Sequence, residues 1–478
     1  MADDHHNISV QLSEERLTEL VDFAKDYAVG HGVIMRLQDQ QDEPEKVTIP
    51  PMTLLPSPIK RTLFNFGKQI QTDYNLLYHR VAHDYDFLKD AFGKIRETDD
   101  FIRRLFELYQ IVLDEGGMPS ICLEISRSDY MVDRRKEDGP GMIKQIEYNT
   151  IACSMAGLAT AAYDCHKFLL EKLGRSGLAT HLPVNTANDG LAEGMVSAWE
   201  LYNAEESVIL FLVEPFVYNI YDVQQVETAI KKVNEKVQVV LATFLEVNEK
   251  ATLTEDKRLI LNGQEVAVVY YRTGYVPQNY CTEKEWNAKT MMERSKAVKC
   301  PAVNYQLAGM KKIQQVLCEP GMVEKFIEDP DAASDVRETF AYQYSLDGPE
   351  GDSAIQLAME SPEKYVLKPQ REGGGHNIYS DDIPKLLDKI KDTEERNNYI
   401  LMELIHPLEN HNYIMKANAL AYSGDVISEL GIFGVLISSG DTILRNNTVG
   451  HLLRTKPVGI SEGGIASGAA GLDSPYLV

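Results

Sequence analysis

Lys368-Pro-Gln-Arg-Glu-Gly-Gly-Gly-His-Asn377 follows the apolar run Tyr365-Val-Leu367, so two cations, a carboxylate and three consecutive glycines arrive where a buried strand opens into a loop. Glycines let a backbone approach a ligand closely and turn several N–H groups toward one anion. Lys368 and Arg371 can neutralise phosphate oxygens, and Glu372 is the hard oxygen donor that Mg²⁺ prefers. The simplest reading is a flap over a magnesium nucleotide. The competing one is a surface turn with incidental charges.

Outward from this loop, three further clusters carry chemistry. In Lys144-Gln-Ile-Glu-Tyr-Asn149, an extended strand places Glu147 and Asn149 on one face and Ile146 and Tyr148 on the other. A carboxylate and an amide oxygen two residues apart make one edge of a magnesium site, or else the solvated face of a half-buried strand. In Gly450-His-Leu-Leu-Arg-Thr-Lys456, Arg454 and Lys456 share a face if extended, a carboxylate clamp beside a phosphate contact. The glycine-rich stretch 459–471 behind them either closes on a ligand or is a flexible tail. Arg127, just past the end of a strand at 120–125, either holds a substrate carboxylate or pairs with Asp129 or Asp133. Lys311 and Lys312 open a helix, where cations oppose its dipole, which points to phosphate.

The 478 residues suffice for a large core in more than one unit. Acidic residues outnumber basic ones 72 to 48. That surface repels nucleic acid and anionic membranes, so an anionic substrate must be caught by local basic clusters. The start of the chain lacks a basic-then-apolar profile, and no apolar run reaches membrane-spanning length, which predicts a cytoplasmic protein. The six cysteines contain no Cys-x-x-Cys pair and read as free thiols.

Hydrophobic periodicity predicts an amphipathic helix over 13–28, a proline-bearing connector over 44–58, two helical stretches between 59 and 113, and strands at 120–125 and 142–149. From Ser207 to Tyr275, apolar runs alternate with a helical pattern, the mark of a parallel sheet with crossover helices. The chain therefore reads as α/β (α+β). Residues 206–306 read as an inserted α/β domain, with 1–205 before it and a mixed α+β region, 307–478, after it. P-loop, G-x-G-x-x-G, H-E-x-x-H and G-x-S-x-G signatures are all missing from the sequence.

The motifs 126–130, 145–149, 271–277, 306–312, 368–377, 428–434 and 450–456 together resemble those of the eukaryotic glutathione synthetases, in the same order along nearly the whole chain. The resemblance implies an ATP-grasp fold, a homodimer, and ATP-dependent joining of γ-glutamylcysteine to glycine through an acyl phosphate. It implies Mg²⁺, two per subunit, on Glu147, Asn149 and Glu372. ATP contacts would come from Glu147, Lys311, Lys368, Gly373, Gly374, Gly375, Asn377, Tyr379, Met402, Glu403, Leu404, Ile405, Glu429, Lys456 and Glu462. Substrate contacts would come from Arg127, Ile151, Ala152, Cys153, Ser154, Asn219, Arg272, Thr273, Gly274, Tyr275, Arg454, Ile465 and Ala466. Lys368, Arg454 and the Mg²⁺ held by Glu372 would neutralise the phosphoryl group in flight.

Some residues depart from the family pattern. Val217-Tyr-Asn-Ile-Tyr-Asp-Val223 stands where that pattern reads close to Glu-Arg-Asn-Ile-Phe-Asp-Gln, which predicts two lost polar contacts to the dipeptide. Ala152 replaces a serine and Thr273 an acidic residue. The rival expectations are a ligase using β-alanine or serine as acceptor, and a non-catalytic nucleotide-binding protein.

Overall fold

The computed structural model describes residues 8, 12–93, 95–134, 141–369, 377–417, 419–460, 463–465 and 468–478. Its first helix, Glu14–Gly30, starts where the periodicity places it, with the Ser13 hydroxyl accepting the Arg16 N–H at 3.3 Å. The 59–113 region divides more finely than its pattern suggests, into helices Arg61–His83, Tyr85–Phe92, Ile95–Thr98 and Asp100–Asp114. Asp84 and Asp99 cause two of the breaks, each capping the helix that follows it. The 44–58 connector contains the short strands Val47–Thr48 and Met52–Thr53 and the start of Ser57–Ile59.

Among the described residues, the central sheet has seven strands and is mostly antiparallel. Its spine is the hairpin of Ala419–Ser439 and Thr442–Pro457, flanked by Ile121–Asp133 and then Met142–Asn149. Two corrections to the sequence reading arise here. Ile121–Asp133 is one strand of 13 residues, so Ser126–Tyr130 is not a loop and Arg127 lies inside the sheet. A register shift between Asp129 and Tyr130 leaves Ile146 as an extra, bulged residue, so it does not share the Tyr148 face.

The 206–306 segment carries a second sheet, in which Gln238–Ala242, Val208–Leu212, Gln264–Tyr271 and Val298–Cys300 lie side by side and parallel. All five residues of Val208–Leu212 are buried, as a strand covered on both faces requires. A third, four-stranded antiparallel sheet is made of Gln343–Ser345, Tyr399–Glu403, Tyr365–Pro369 and Ile378–Tyr379. Its apolar face packs on the helices Gly348–Glu360 and Asp382–Ile390. Residues on or just beyond strands of all three sheets line one cavity.

Candidate active site

The site begins with two adjacent strands. Their register sets Arg127 beside Asn149 and Asp129 beside Glu147. Asp129 is wholly buried and takes four donors: Arg127 Nε at 2.6 Å and Nη2 at 2.7 Å, Arg454 Nη2 at 3.1 Å and Asn149 Nδ2 at 3.0 Å. Burial alone would raise its pKa, but the Arg127 and Arg454 guanidiniums outweigh burial and hold it below the usual aspartate range. Arg454 also pairs with Glu429, its direct neighbour across the hairpin. On that strand Arg454 and Lys456 face the cavity, while Thr455 points the other way to Ser428 and Asp473. The shared face expected of Arg454 and Lys456 is therefore real.

Two more cations come from separate elements. Lys311 opens the helix Lys311–Leu317, with Nζ 3.9 Å from Glu147 Oε2. Lys368 Nζ donates to the carbonyl of the bulged Ile146 at 3.1 Å, so the bulge helps to aim a lysine into the cavity. Lys312, in contrast, turns away to Gln315 and Ser345.

The cavity holds about 600 Å³. One end is an apolar slot in which Met131, Ile146, Val366, Met402, Leu404 and Ile405 pack as a small cluster of their own. Asn377 and Tyr379 border it, with Asn377 Nδ2 donating to the Tyr379 hydroxyl at 3.4 Å, and Glu403 stands at its rim. Lys311, Lys368, Lys456 and Arg454 occupy the middle. Ile151, Ala152, Ser154, Asn219, Arg272 and Tyr275 line the far end. There Arg272 is held by Asp222 at 3.4 Å, and the Asp222 carboxylate also accepts the N–H groups of Met155, Gly157 and Leu158 at the start of the helix Ala156–Lys172.

Other sequence-predicted residues are placed differently. Arg127 sits behind the wall, bound to Asp129 and donating to the Ser154 carbonyl at 3.4 Å. Cys153 is buried, its Sγ donating to the Asn149 carbonyl at 3.2 Å, and burial pushes its thiol up to about 12, so it is un-ionised at neutral pH. Thr273 is buried, and Gly274, at φ +92°, approaches Tyr280 and Phe244 so closely that a Cβ would lie 2.9 Å from the Tyr280 hydroxyl. Ile465 packs into the core, while its neighbours Gly463 and Gly464 reach the cavity. Of the two departing positions, Val217 lines the cavity, while Val223 is buried in the core. Arg371, Glu372, Gly373, Gly374, Gly375, Glu462 and Ala466 lie outside the described residues.

The sequence reading passes over Asp129 as a centre of the site, and over Glu214, Phe216 and Tyr218 on the cavity wall. Position marks the last three: they follow the carboxyl end of a parallel strand, where open α/β sheets form binding crevices. Burial, and then the nearby Tyr275, push the Tyr218 phenol up to about 12.

The arrangement offers an apolar slot, a run of cations, an acid-and-amide edge and an end that carries the Arg272 guanidinium, all within one cavity. The comparisons with known proteins agree with it. Residues 14–477 match the family described as eukaryotic glutathione synthase, ATP binding domain. Glutathione synthetase of Xenopus laevis is 44% identical over 464 residues, spanning 97% of both chains. The Homo sapiens enzyme of that name is 41% identical over 472 residues, 98% of this chain and 99% of its own. A glutathione synthetase-like effector from Globodera pallida, solved in its apo form, superimposes with a TM-score of 0.80 at 26% identity, covering 98% of each chain. On its cavity and on these likenesses together, the chain belongs to the eukaryotic glutathione synthase family.

Proposed function

We propose that the cavity joins γ-glutamylcysteine to glycine, with ATP first converting the cysteinyl carboxylate to an acyl phosphate. Membership of the family makes the chain an ATP-dependent carbon–nitrogen ligase. The observation that carries the finer reading is continuity: the apolar slot, the lysines and Arg272 line one cavity, so an adenine, a phosphate chain and a dipeptide fit end to end.

In this reading Met402, Glu403, Leu404 and Ile405 border the adenine. Lys311, Lys368 and Lys456 bind phosphate oxygens, with Glu429 at the nucleotide through the position it shares with Arg454. Asn219, Arg272 and Tyr275 hold the dipeptide. A carboxylate is a poor acyl donor, and making it an acyl phosphate requires the charge of the transferred phosphoryl group to be neutralised. Lys368 and Arg454 supply that charge. Arg454 is held rigid by Asp129 and Glu429, so little reorganisation is needed when charge develops. The amine of glycine then attacks the acyl carbon and inorganic phosphate leaves.

Mg²⁺ suits the donors present. The Asn149 amide nitrogen is committed to Asp129 and to the Arg127 carbonyl, which fixes its oxygen as the ligating atom beside the Glu147 carboxylate. Glu147 and Asn149, joined by Glu372, would hold it, and when bound it supplies further neutralisation of phosphate charge. Two ions per subunit, a homodimer of such chains and a cytoplasmic location belong to the same reading. Among the described residues, no helix is long and apolar enough to cross a membrane.

The test is phosphate release from ATP and Mg²⁺ with γ-glutamylcysteine, comparing glycine, β-alanine and serine. Glycine-dependent turnover is the expected result. A preference for β-alanine or serine would keep the ligase chemistry and change the product, and turnover with none of them would overturn the reading.

A further inference from the structure

The donor dipeptide carries a single cation, its α-ammonium group, and the far end of the cavity contains one carboxylate suited to it. Glu214 follows the strand Val208–Leu212, and Thr273 follows Gln264–Tyr271. These strands are parallel neighbours in which Leu212 stands beside Tyr271, so positions 214 and 273 fall side by side two residues further on. The Thr273 hydroxyl donates to Glu214 Oε1 at 3.4 Å. Asn279 Nδ2 donates to the same oxygen at 3.0 Å. The orientation of Asn279 is itself set, because its Oδ1 accepts the N–H groups of Gly274 and Val276 at 3.1 and 3.3 Å.

Glu214 is thus a half-buried carboxylate on the cavity wall, aimed by two neutral donors. Among the described residues no lysine or arginine lies within ion-pair distance of it. The other acids of the cavity are placed for other work: Glu429 on Arg454, Glu147 beside Lys311, Glu409 on Arg134, and Glu403 at the apolar slot. A carboxylate held in place with no cation of its own is a receptor for one. Next to it in the chain order of the neighbouring strand, Arg272 presents the opposite charge. We infer that Glu214 recognises the α-ammonium group of γ-glutamylcysteine, with Arg272 on the adjacent α-carboxylate, so that the pair reads a free amino-acid head group. The inference rests on the ligase reading above. It also accounts for Thr273: the negative charge missing at that position is present one strand over.

The test compares γ-glutamylcysteine with N-glutarylcysteine, which lacks only the α-amino group, as donors for the wild-type chain and for Glu214→Gln, at saturating ATP, Mg²⁺ and glycine. The wild type should prefer γ-glutamylcysteine in kcat/KM. Glu214→Gln should raise the KM for γ-glutamylcysteine roughly 10- to 100-fold, the size of a lost charge-assisted hydrogen bond, and so erase that preference. It should leave the KM for ATP and the rate on N-glutarylcysteine unchanged. Glu214→Asp, which keeps the charge, should recover part of the preference. An unaltered preference in Glu214→Gln would overturn the inference while the ligase reading stands. So would an equal fall for both donors, the mark of a scaffolding role. A wild-type chain inactive on γ-glutamylcysteine would overturn both.

Discussion

Asp129 and Arg454, on strands separated by one other, meet at 3.1 Å, and the same aspartate is gripped by Arg127 in a two-point pair. One buried carboxylate therefore fixes two guanidiniums, only one of which faces the cavity. Asp129 is a positioning residue: it touches no ligand and sets where Arg454 stands.

Asp129→Asn should accordingly damage both fold and rate. Removing one partner of a buried ion cluster leaves uncompensated charge and costs about 3–5 kcal/mol. Urea unfolding should show that loss, and kcat should fall roughly 100-fold as Arg454 loses its anchor. The wild-type contribution also has a pH signature. Because the folded pKa lies below the ordinary aspartate value, the stability is present above the unfolded pKa of 3.8 and is lost as pH falls through the lower folded value.

Gly431 lies under this pair. A Cβ there would meet Asp129 Oδ1 at 2.7 Å and Arg127 Cδ at 2.8 Å. Gly431→Ala should therefore push the pair aside, costing about 1–3 kcal/mol and lowering kcat more than it raises the KM for any substrate. An active enzyme of unchanged stability would show that the pair has room to move.

Glu124 gives a titration test away from the ligands. It is wholly buried, has no ion-pair partner among the described residues and accepts the Tyr148 hydroxyl at 2.7 Å, and burial raises its pKa to about 8. The folded state then keeps a proton that the unfolded chain releases near 4.5, so stability is fully present below about pH 4.5 and is lost as pH rises toward 8. The slope is at most about 1.4 kcal/mol per pH unit. Glu124→Gln, neutral at every pH, should remove this contribution, and denaturant midpoints of the two proteins between pH 5 and 8 measure it.

Lys368 should separate nucleotide from dipeptide. Its Nζ is tethered to the Ile146 carbonyl beside the apolar slot. Lys368→Met should raise the KM for ATP and lower kcat by roughly 100-fold while leaving dipeptide binding unchanged, as calorimetry without ATP would report.

Much of this site is legible in the sequence, and what is not has physical causes. Arg454 and Lys456 can be assigned because alternation along a strand is a local property. The alternating apolar and helical runs likewise announce the parallel sheet. Ser126–Tyr130 misleads because its polar side chains are buried, three of them with interior partners: Ser126 bonds Asn75, and Asp129 takes both Arg127 and, from two strands away, Arg454. Polar residues that are paired in the interior look, in a chain, like residues that need water. Ile146 misleads because a bulge shifts the alternation by one, and only the opposing strand reveals it. Glu214 is invisible for a similar reason, since its meaning depends on which strand lies beside it.

The most direct test of the account is the fate of oxygen. γ-Glutamylcysteine labelled with ¹⁸O in its cysteinyl carboxylate is turned over with ATP, Mg²⁺ and glycine, and the released phosphate is analysed by mass spectrometry. An acyl phosphate intermediate predicts one labelled oxygen in each phosphate formed. Phosphate free of label, with glutathione still produced, would contradict it.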